Sequence, residues 1–299
     1  MPNSTAHLVA ITGATGHIGG ALAQRLLDAG VRVRAIAREA TKLAALTARG
    51  AEVRSGEVQD SAFLSEAFRG ADAVFAMIPP CYGAADVAAT FRAVAASLTS
   101  ALVQAGVPRV VALNGVTPEV KTDPIAALHA FERLLRGTRN LHVVALRPAF
   151  FMENLLPAMR GVKRAGILSS AHRADLPAPM VATRDIAAAA AEALLKADFT
   201  GYQARELLGA RDYTFTEAAA ALGAAVGQPQ LRYVQCDYPE FRGVFVRAGM
   251  SASAADFHVE LARVFNEVPN PVVRTSANTT PTSLEQFARD VAAPAFLGY

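Results

Sequence analysis

Three glycines near the start of the chain have the spacing of a phosphate-binding turn. Gly13, Gly16 and Gly19 fall within Thr12-Gly-Ala-Thr-Gly-His-Ile-Gly19, between an apolar run and an amphipathic stretch. Such a turn needs backbone conformations that side chains obstruct, and a pyrophosphate must approach its main chain closely. The helix that follows offers unpaired N–H groups and a partial positive charge to phosphates. The pattern predicts a dinucleotide site, with a purely structural glycine turn as the alternative.

The end of the second predicted strand indicates which dinucleotide would bind. NAD-specific sites place an acid there to hold the ribose hydroxyls. In this chain Ala37 occupies that place, Arg38 follows it, and Lys42 comes one helical turn later. A guanidinium suits a 2′-phosphate because it is permanently charged and donates two parallel hydrogen bonds. Glu39 could bind a ribose hydroxyl or neutralise Arg38, and Arg38 could be a solvated surface residue, but we expect NADP(H).

These residues need a sheet to position them, and the first half of the chain predicts one. Short apolar runs alternate with helical patterns, which is typical of a parallel sheet with right-handed crossovers and helices on both faces. The predicted strands are His7–Thr12, Val31–Ala37, Glu52–Arg54, Ala73–Ile78, Arg109–Leu113 and Leu141–Leu146. The predicted helices are Ile18–Ala29, Ala40–Ala48, Ser61–Phe68, Ala84–Ala105 and Pro124–Leu135.

The alternation loosens after Arg147-Pro148, where Ser169–Pro179 is expected to be a loop. Capping-box patterns at Thr214–Glu217 and Thr282–Glu285 predict two helix starts in this half. We therefore expect an α/β fold: a doubly wound parallel Rossmann sheet in residues 1–154 and a smaller C-terminal α/β substrate lobe in residues 155–299. The two are expected to pack as one compact unit.

Composition excludes several classes of protein. The 299 residues are 52% apolar and 18% charged, which is too hydrophobic for a disordered chain. Two cysteines cannot form a disulfide framework or a cysteine-based zinc site. The net charge of +3 is spread along the chain, so nucleic-acid binding is not expected. The richest apolar run, Ala187–Leu195, contains Glu192 and is too short to span a membrane. We expect a cytoplasmic protein with no membrane contact and no metal site.

Several stretches together resemble one family. The glycine turn is similar to the fingerprint of extended and atypical short-chain dehydrogenases/reductases. The chain resembles the NmrA-like branch of that group over nearly its whole length, in segments 33–38, 108–111, 146–154, 182–187 and 207–209. This branch includes NADPH-dependent quinone reductases as well as cofactor-binding regulators with no known turnover.

The resemblance implies a set of cofactor contacts. A pyrophosphate would lie on the turn and the first helical residues, and the 2′-phosphate on Arg38. The adenine would lie near Glu57 and Val58, and the nicotinamide ribose near Ile78 and Pro79. The implied pyrophosphate residues are Gly13, Thr15, Gly16, His17, Ile18 and Gly19. A doubly wound sheet agrees with this placement, since its ligands bind at the carboxyl ends of strands where the strand order reverses.

The chain departs from typical relatives at their catalytic dyad. Those relatives carry Tyr-x-x-x-Lys, with the tyrosine as acid/base, and no such motif occurs here. Counting back from Glu132, which matches a family glutamate, places Leu128 at the lysine position and Pro124 at the tyrosine position. Interconversion of alcohols and ketones by the usual route is therefore not expected.

Three residues are candidates for a hydrogen-bond donor to a substrate. His129 lies one position from the vacant lysine site, Asn114 ends the fifth strand, and Tyr82 follows the fourth strand. The alternatives are a polar helix residue for His129, a turn residue for Asn114 and a stacking ring for Tyr82. Cys81 has no basic neighbour in sequence and is expected to be inert.

A quinone does not require the dyad, because hydride addition yields a phenol-like anion with a pKa near ~10 that can take its proton from water. We therefore expect an NADPH-dependent oxidoreductase acting on a small planar conjugated substrate such as a quinone. Phe150, Phe151 and Met152 could form an apolar wall for it or simply pack in the core. The alternative is a non-catalytic NADP(H)-binding redox sensor acting through a protein partner. Either would be a monomer or homodimer.

Overall fold

The computed structural model describes residues 7–116, 120, 122–269 and 272–298. Its strands, in chain order, are β1 (Leu8–Thr12), β2 (Arg32–Ala37), β3 (Glu52–Ser55), β4 (Ala73–Met77), β5 (Arg109–Leu113), β6 (His142–Pro148), β7 (Phe150–Phe151), β8 (Ile167–Ser170), β9 (Ala178–Val181), β10 (Tyr202–Leu207), β11 (Asp212–Tyr213) and β12 (Arg232–Gln235).

The α-helices are α1 (His17–Asp28), α2 (Ala44–Ala48), α3 (Ser61–Phe68), α4 (Val87–Gln104), α5 (Asp123–Leu128), α6 (Ala130–Gly137), α7 (Met159–Ala165), α8 (Thr183–Lys196), α9 (Phe215–Ala225), α10 (Tyr238–Arg247), α11 (Ala252–Glu267), α12 (Leu284–Phe287) and α13 (Ala293–Leu297). Short 3₁₀ segments cover Ala40–Leu43 and Met152–Ala158, and a π-helical turn covers Ala288–Ala292.

The predicted doubly wound sheet is confirmed. Seven parallel strands lie in the order β10-β6-β5-β4-β1-β2-β3, so the order reverses between β1 and β4. Alternate residues of β1 face opposite layers. Val9 and Ile11 pack with α1 and α8, whereas Leu8 and Ala10 pack with α3, α4 and α6. The carboxyl ends of β1 and β4 therefore open a crevice at the reversal point.

The sheet has one strand that the sequence did not predict. β10 comes from the second half of the chain, pairs with β6 in parallel register, and forms the edge of the sheet. Helix α8, also from the second half, packs on the α1 face of the sheet. The second half of the chain thus supplies both a lobe and part of the main sheet.

The C-terminal lobe has a core of its own. Met152, Met180, Phe215 and Phe287 are fully buried in it, together with residues of α7 and α9. Helix α11 attaches this lobe to the sheet domain, because Phe257 and Val264 pack against residues of α4 and α5.

Some predicted elements are wrong in detail. The helix predicted over Pro124–Leu135 is broken at His129 into α5 and α6. The stretch expected to be a loop at 169–179 contains the end of β8 and the start of β9. The capping box at Thr214–Glu217 is confirmed. The second predicted helix start shifts by one residue. Ser283, and not Thr282, caps α12 by accepting from the N–H of Gln286, while the Thr282 hydroxyl donates to the buried carboxylate of Asp185.

Helix α4 also corrects a sequence expectation. Its 18 residues have a mean hydropathy of 1.3, so by length and composition alone it could cross a membrane. Its sequence does not form a continuous apolar run, because small alanines supply half of its apolar residues and Arg92 and several hydroxyl residues interrupt them. In the fold it is a core helix: Val94, Leu98 and Leu102 are buried against the sheet.

Candidate active site at the carboxyl ends of the strands

The glycines of the first turn are required by close approach of the backbone. Gly13 has φ of +66°, and a Cβ there would lie 3.0 Å from Met77 Sδ at the end of β4. A Cβ on Gly19 would lie only 2.3 Å from Gly13 O, closer than any real side chain approaches. The Gly16 N–H donates to Gly13 O at 2.9 Å and closes the turn. Bare backbone therefore forms the wall of the crevice between β1 and β4.

The start of α1 is open to an anion. Its N-cap, Gly16, has no side chain to accept from the first N–H groups, and no acid lies in the first helical turn. Thr15, Gly16 and His17 are exposed, whereas Ile18 and Gly19 are buried, so these last two can meet a ligand only through their backbone. The unpaired N–H groups and the positive end of the helix dipole are suited to phosphate.

Arg38, directly after β2, is exposed and makes no ion pair with any described residue. Glu39, which could have neutralised it, accepts instead from Lys42 Nζ at 2.7 Å. The hydrogen bond from Lys42 and then its charge hold the pKa of Glu39 below the ordinary value. The Arg38 guanidinium thus remains available to a ligand, while the charge of Lys42 is partly satisfied within the protein.

The remaining cofactor candidates follow two other strands of the sheet, β3 at its edge and β4 beside the crevice. Glu57 and Val58 follow β3; Glu57 is exposed and Val58 packs on the α3–α4 layer. Ile78 and Pro79 follow β4 and are half-buried. All four therefore lie on the carboxyl edge of the sheet, on either side of the glycine turn.

Asn114 places an unused hydrogen-bond donor at the end of β5. Its backbone N–H donates to Leu146 O at 2.9 Å, which ties it to β6. Its side-chain Nδ2 is enclosed and has no hydrogen-bond partner among the described residues. An enclosed amide without a partner costs roughly 1–3 kcal/mol, which a bound acceptor atom would recover.

His129 and Tyr82 occupy different surroundings. His129 is buried at the break between α5 and α6, close enough to Glu132 for their charges to interact. Tyr82 is 52% exposed, and its backbone carbonyl accepts from the Ser251 N–H at the start of α11. Burial raises the pKa of the neighbouring Cys81 thiol, which favours the unreactive form.

The vacant dyad positions lie on α5. Pro124 stands in its first turn, and Leu128 packs against the cluster that joins α4 to α11. Glu132, on α6, instead accepts from the Arg147 guanidinium and the Tyr202 hydroxyl. Burial alone would raise the pKa of Glu132, but these hydrogen bonds hold it below the ordinary value. Burial is the main cause, and the hydrogen bond to Glu132 the next, of a rise in the pKa of Tyr202 to about 12. This tyrosine is therefore a poor proton donor near neutral pH.

Six rings form a continuous arc that sequence reasoning missed. Consecutive ring centroids are 6.2, 4.6, 4.7, 6.1 and 5.4 Å apart. One end, Tyr82, follows β4, and the other, Phe150, lies in β7, just after β6, so both ends belong to segments that leave the carboxyl edge of the main sheet. Five of the rings are half-buried and the first is exposed. We call this set the ring wall: Tyr82, His258, Phe245, Phe241, His172 and Phe150.

The ring wall combines residues from distant segments. Phe241 and Phe245 lie on α10, a helix with no fully buried residue that packs on α11. His172 stacks on Phe215 at 4.7 Å between centroids, and burial lowers its pKa to about 4. Of the predicted apolar wall, Phe150 joins this arc, whereas Met152 is fully buried in the lobe core and Phe151 packs against the main sheet core. The wall is therefore aromatic and uncharged at neutral pH.

A separate cavity of about 540 Å³ lies between the starts of α4 and α5 and the side of α11. Asp86, Asp123, Asp256 and Glu260 line it, so it repels phosphate. Asp123 and Asp256 are paired with Arg92 and Arg242, respectively. Among the described residues, no group of His, Cys, Asp and Glu could hold a metal ion. The cavity therefore differs in chemistry from the crevice at the glycine turn.

Comparison with known proteins agrees with this architecture. The sequence model of the NmrA-like family matches residues 5–288. An NAD(P)H azoreductase of Xenophilus azovorans is 28% identical over 256 residues, which cover 85% of this chain and 86% of the relative.

Two solved structures share the fold. Triphenylmethane reductase of Citrobacter sp., complexed with NADP(H), is 23% identical with a TM-score of 0.79 and covers 95% of this chain and 99% of its own. The NADPH-dependent quinone oxidoreductase of Escherichia coli is 23% identical with a TM-score of 0.73 and covers 94% and 98%.

Proposed function

The chain belongs to the NmrA-like family, and we propose that it is an NADPH-dependent oxidoreductase that transfers hydride directly to a quinone or a similar conjugated acceptor. The observation that carries the proposal is the crevice between β1 and β4. Bare glycine backbone lines it, a helix N-terminus without a side-chain cap opens into it, and the Arg38 guanidinium, which forms no ion pair with a described residue, stands one strand away. The names of the azoreductase, the triphenylmethane reductase and the quinone oxidoreductase support reduction of conjugated molecules.

The dinucleotide would be held mainly by backbone and by one cation. Gly13, Thr15, Gly16 and His17, with the backbone of Ile18 and Gly19, would bind the pyrophosphate. Arg38 would pair with the 2′-phosphate, and Lys42 would add charge beside it. Glu57 and Val58 would flank the adenine, and Ile78 and Pro79 the nicotinamide ribose. When bound, NADPH supplies a hydride from its nicotinamide ring.

The chemistry on the acceptor side needs no strong acid. Hydride addition to a quinone produces a hydroquinone anion, which is phenol-like with a pKa near ~10 and can collect its proton from water. Asn114 Nδ2, which has no hydrogen-bond partner in the described part of the chain, would donate to the oxygen on which negative charge develops. Tyr82 would stack on or donate to the acceptor, and the ring wall would orient it. His129, at the break between α5 and α6, would protonate or orient the acceptor.

The second candidate is an NADP(H)-binding sensor without turnover, acting through a protein partner. The residues at the dyad positions favour it, because Pro124 and Leu128 offer no proton donor. This candidate shares the cofactor site and differs only in whether an acceptor is reduced.

The two candidates are separated by measuring NADPH oxidation against a panel of quinones alongside the affinity for NADPH. The oxidoreductase predicts saturable NADPH oxidation with at least one quinone and release of the hydroquinone. Tight NADPH binding with no oxidation by any acceptor would leave the sensor and reject the enzyme. Weak binding of both NADPH and NADH would reject both candidates.

A further inference from the structure

The protonation of one ring in the wall is determined by its backbone partner. His258, in the middle of α11, places its Nδ1 2.7 Å from the carbonyl oxygen of Ala254, one turn earlier in the same helix. A carbonyl oxygen can only accept a hydrogen bond, so Nδ1 must be the donor and must carry a proton. The Nδ1–H tautomer of His258 follows from this geometry.

The other ring nitrogen of His258 therefore carries a lone pair. Burial lowers the pKa of His258, so the ring is neutral near pH 7 and Nε2 has no proton. Nε2 lies across the ring from Nδ1 and so points away from the helix backbone. It makes no hydrogen bond with a described residue, and the His258 side chain is half-buried. The ring wall thus carries, on a half-buried side chain, a hydrogen-bond acceptor with no partner among the described residues.

This hydrogen-bond acceptor, the Nε2 atom of His258, lies among aromatic rings. The centroid of His258 lies 4.6 Å from that of Phe245, 5.7 Å from that of Phe257 and 6.2 Å from that of Tyr82. A flat aromatic ligand would therefore find matching aromatic surfaces beside Nε2. A ring carbonyl or ether oxygen placed at Nε2 would face another lone pair, whereas a hydroxyl or an amino N–H would be bound.

We propose that His258 selects planar aromatic acceptors that carry a hydrogen-bond donor, a ring hydroxyl or amino group, on the edge that lies against the ring wall. The inference rests on the proposed function, because it takes the ring wall as the acceptor side of the reductase site. Specificity arises because the donor is bound by Nε2 at an aromatic surface, and an analogue without the donor leaves that nitrogen unpaired.

The proposal is tested with two quinones and two substitutions. The quinones are para-naphthoquinone and the same compound with a hydroxyl on its benzenoid ring; the variants are His258→Phe and His258→Gln. His258→Phe keeps a ring but removes the lone pair, so kcat/KM for the hydroxylated quinone should fall about tenfold more than that for the parent quinone. His258→Gln retains an accepting oxygen and should recover most of this difference. Equal losses for the two quinones in His258→Phe would overturn the proposal.

A measurement on the unaltered protein avoids dependence on variants that fail to fold. The methoxy analogue of the hydroxylated quinone cannot donate, and its dissociation constant measured by calorimetry in the presence of NADP⁺ should be about tenfold higher than that of the hydroxyl compound. Equal affinities would overturn the proposal. The calorimetry also separates the two proposals: absence of turnover with a retained preference for the hydroxyl compound would reject only the reductase, whereas turnover without the preference would reject only the role of His258.

Discussion

The two sides of the proposed site are built by different means. On the cofactor side, one continuous segment, the turn after β1, forms the crevice, and the absence of side chains at Gly13 and Gly19 determines its shape. On the acceptor side, six rings from five separate segments meet, and their side chains determine the shape. The cofactor side, whose wall is backbone, tolerates almost no added side-chain volume. The acceptor side, whose wall is formed by side-chain rings, can change its substrate specificity through single substitutions.

This difference fits the chemistry of each half. The pyrophosphate of a dinucleotide is the same in every protein that binds it, and backbone N–H groups are sufficient to bind it. Acceptors differ in shape and in substituents, and helix α10, which buries none of its residues, carries two of the rings that would meet them. The cofactor side should therefore respond to mutation by losing folding and binding together, and the acceptor side by losing rate on particular substrates.

The largest effect is expected at Gly19. Replacing it with alanine would place a Cβ 2.3 Å from Gly13 O, which neither backbone segment can avoid. We expect unfolding free energy to fall by about 3 kcal/mol and the dissociation constant of NADPH to rise roughly 100-fold, measured by denaturant unfolding and fluorescence titration. Gly137→Ala is the control, since nothing lies within 4 Å of a Cβ there. Equal, small effects in both variants would contradict a backbone-built crevice.

A smaller effect on stability is expected from His172 on the acceptor side. Burial lowers its pKa to about 4, below that of an unfolded histidine, so the unfolded state takes up a proton first as the pH falls. The contribution of neutral His172 is full above about pH 6.5 and declines below it, reaching a loss of about 2 kcal/mol near pH 5. His172→Phe keeps a ring in the stack with Phe215 and cannot titrate. The difference in unfolding free energy between the two proteins should therefore change with pH over this range; a constant difference would show that His172 titrates normally.

Asn114 should have the smallest effect, and only on rate. Asn114→Ala removes the enclosed donor and is expected to lower kcat for quinone reduction about tenfold, while the dissociation constant of NADPH changes little. Asn114→Ser retains a hydroxyl donor and should keep more of the rate. If alanine, serine and asparagine gave the same kcat, Asn114 would belong to the turn and not to the site.

The same contrast explains how much could be predicted from the sequence. The glycine turn and six of the seven main strands were predictable because periodicity and turn chemistry are local. Strand β10 was not, because its half-exposed residues, which include Arg205 and Glu206, do not form the apolar run of a buried strand. Thr282 was misassigned because Asp185, 97 positions away, binds its hydroxyl. The ring wall could not be found from spacing, since its rings, from Tyr82 after β4 to His258 in α11 and Phe150 in β7, come from distant segments that meet only in the folded chain.

The central claim is that a phosphorylated dinucleotide binds in the crevice with its 2′-phosphate on Arg38. The most direct measurement compares the dissociation constants of NADPH and NADH in the unaltered protein and in Arg38→Ala, with Arg38→Lys as the charge-retaining control. We predict that Arg38→Ala weakens NADPH binding by about 1–3 kcal/mol, that NADH binding changes little, and that lysine gives an intermediate loss for NADPH. Equal losses for NADPH and NADH in Arg38→Ala, or no loss for either, would contradict the account.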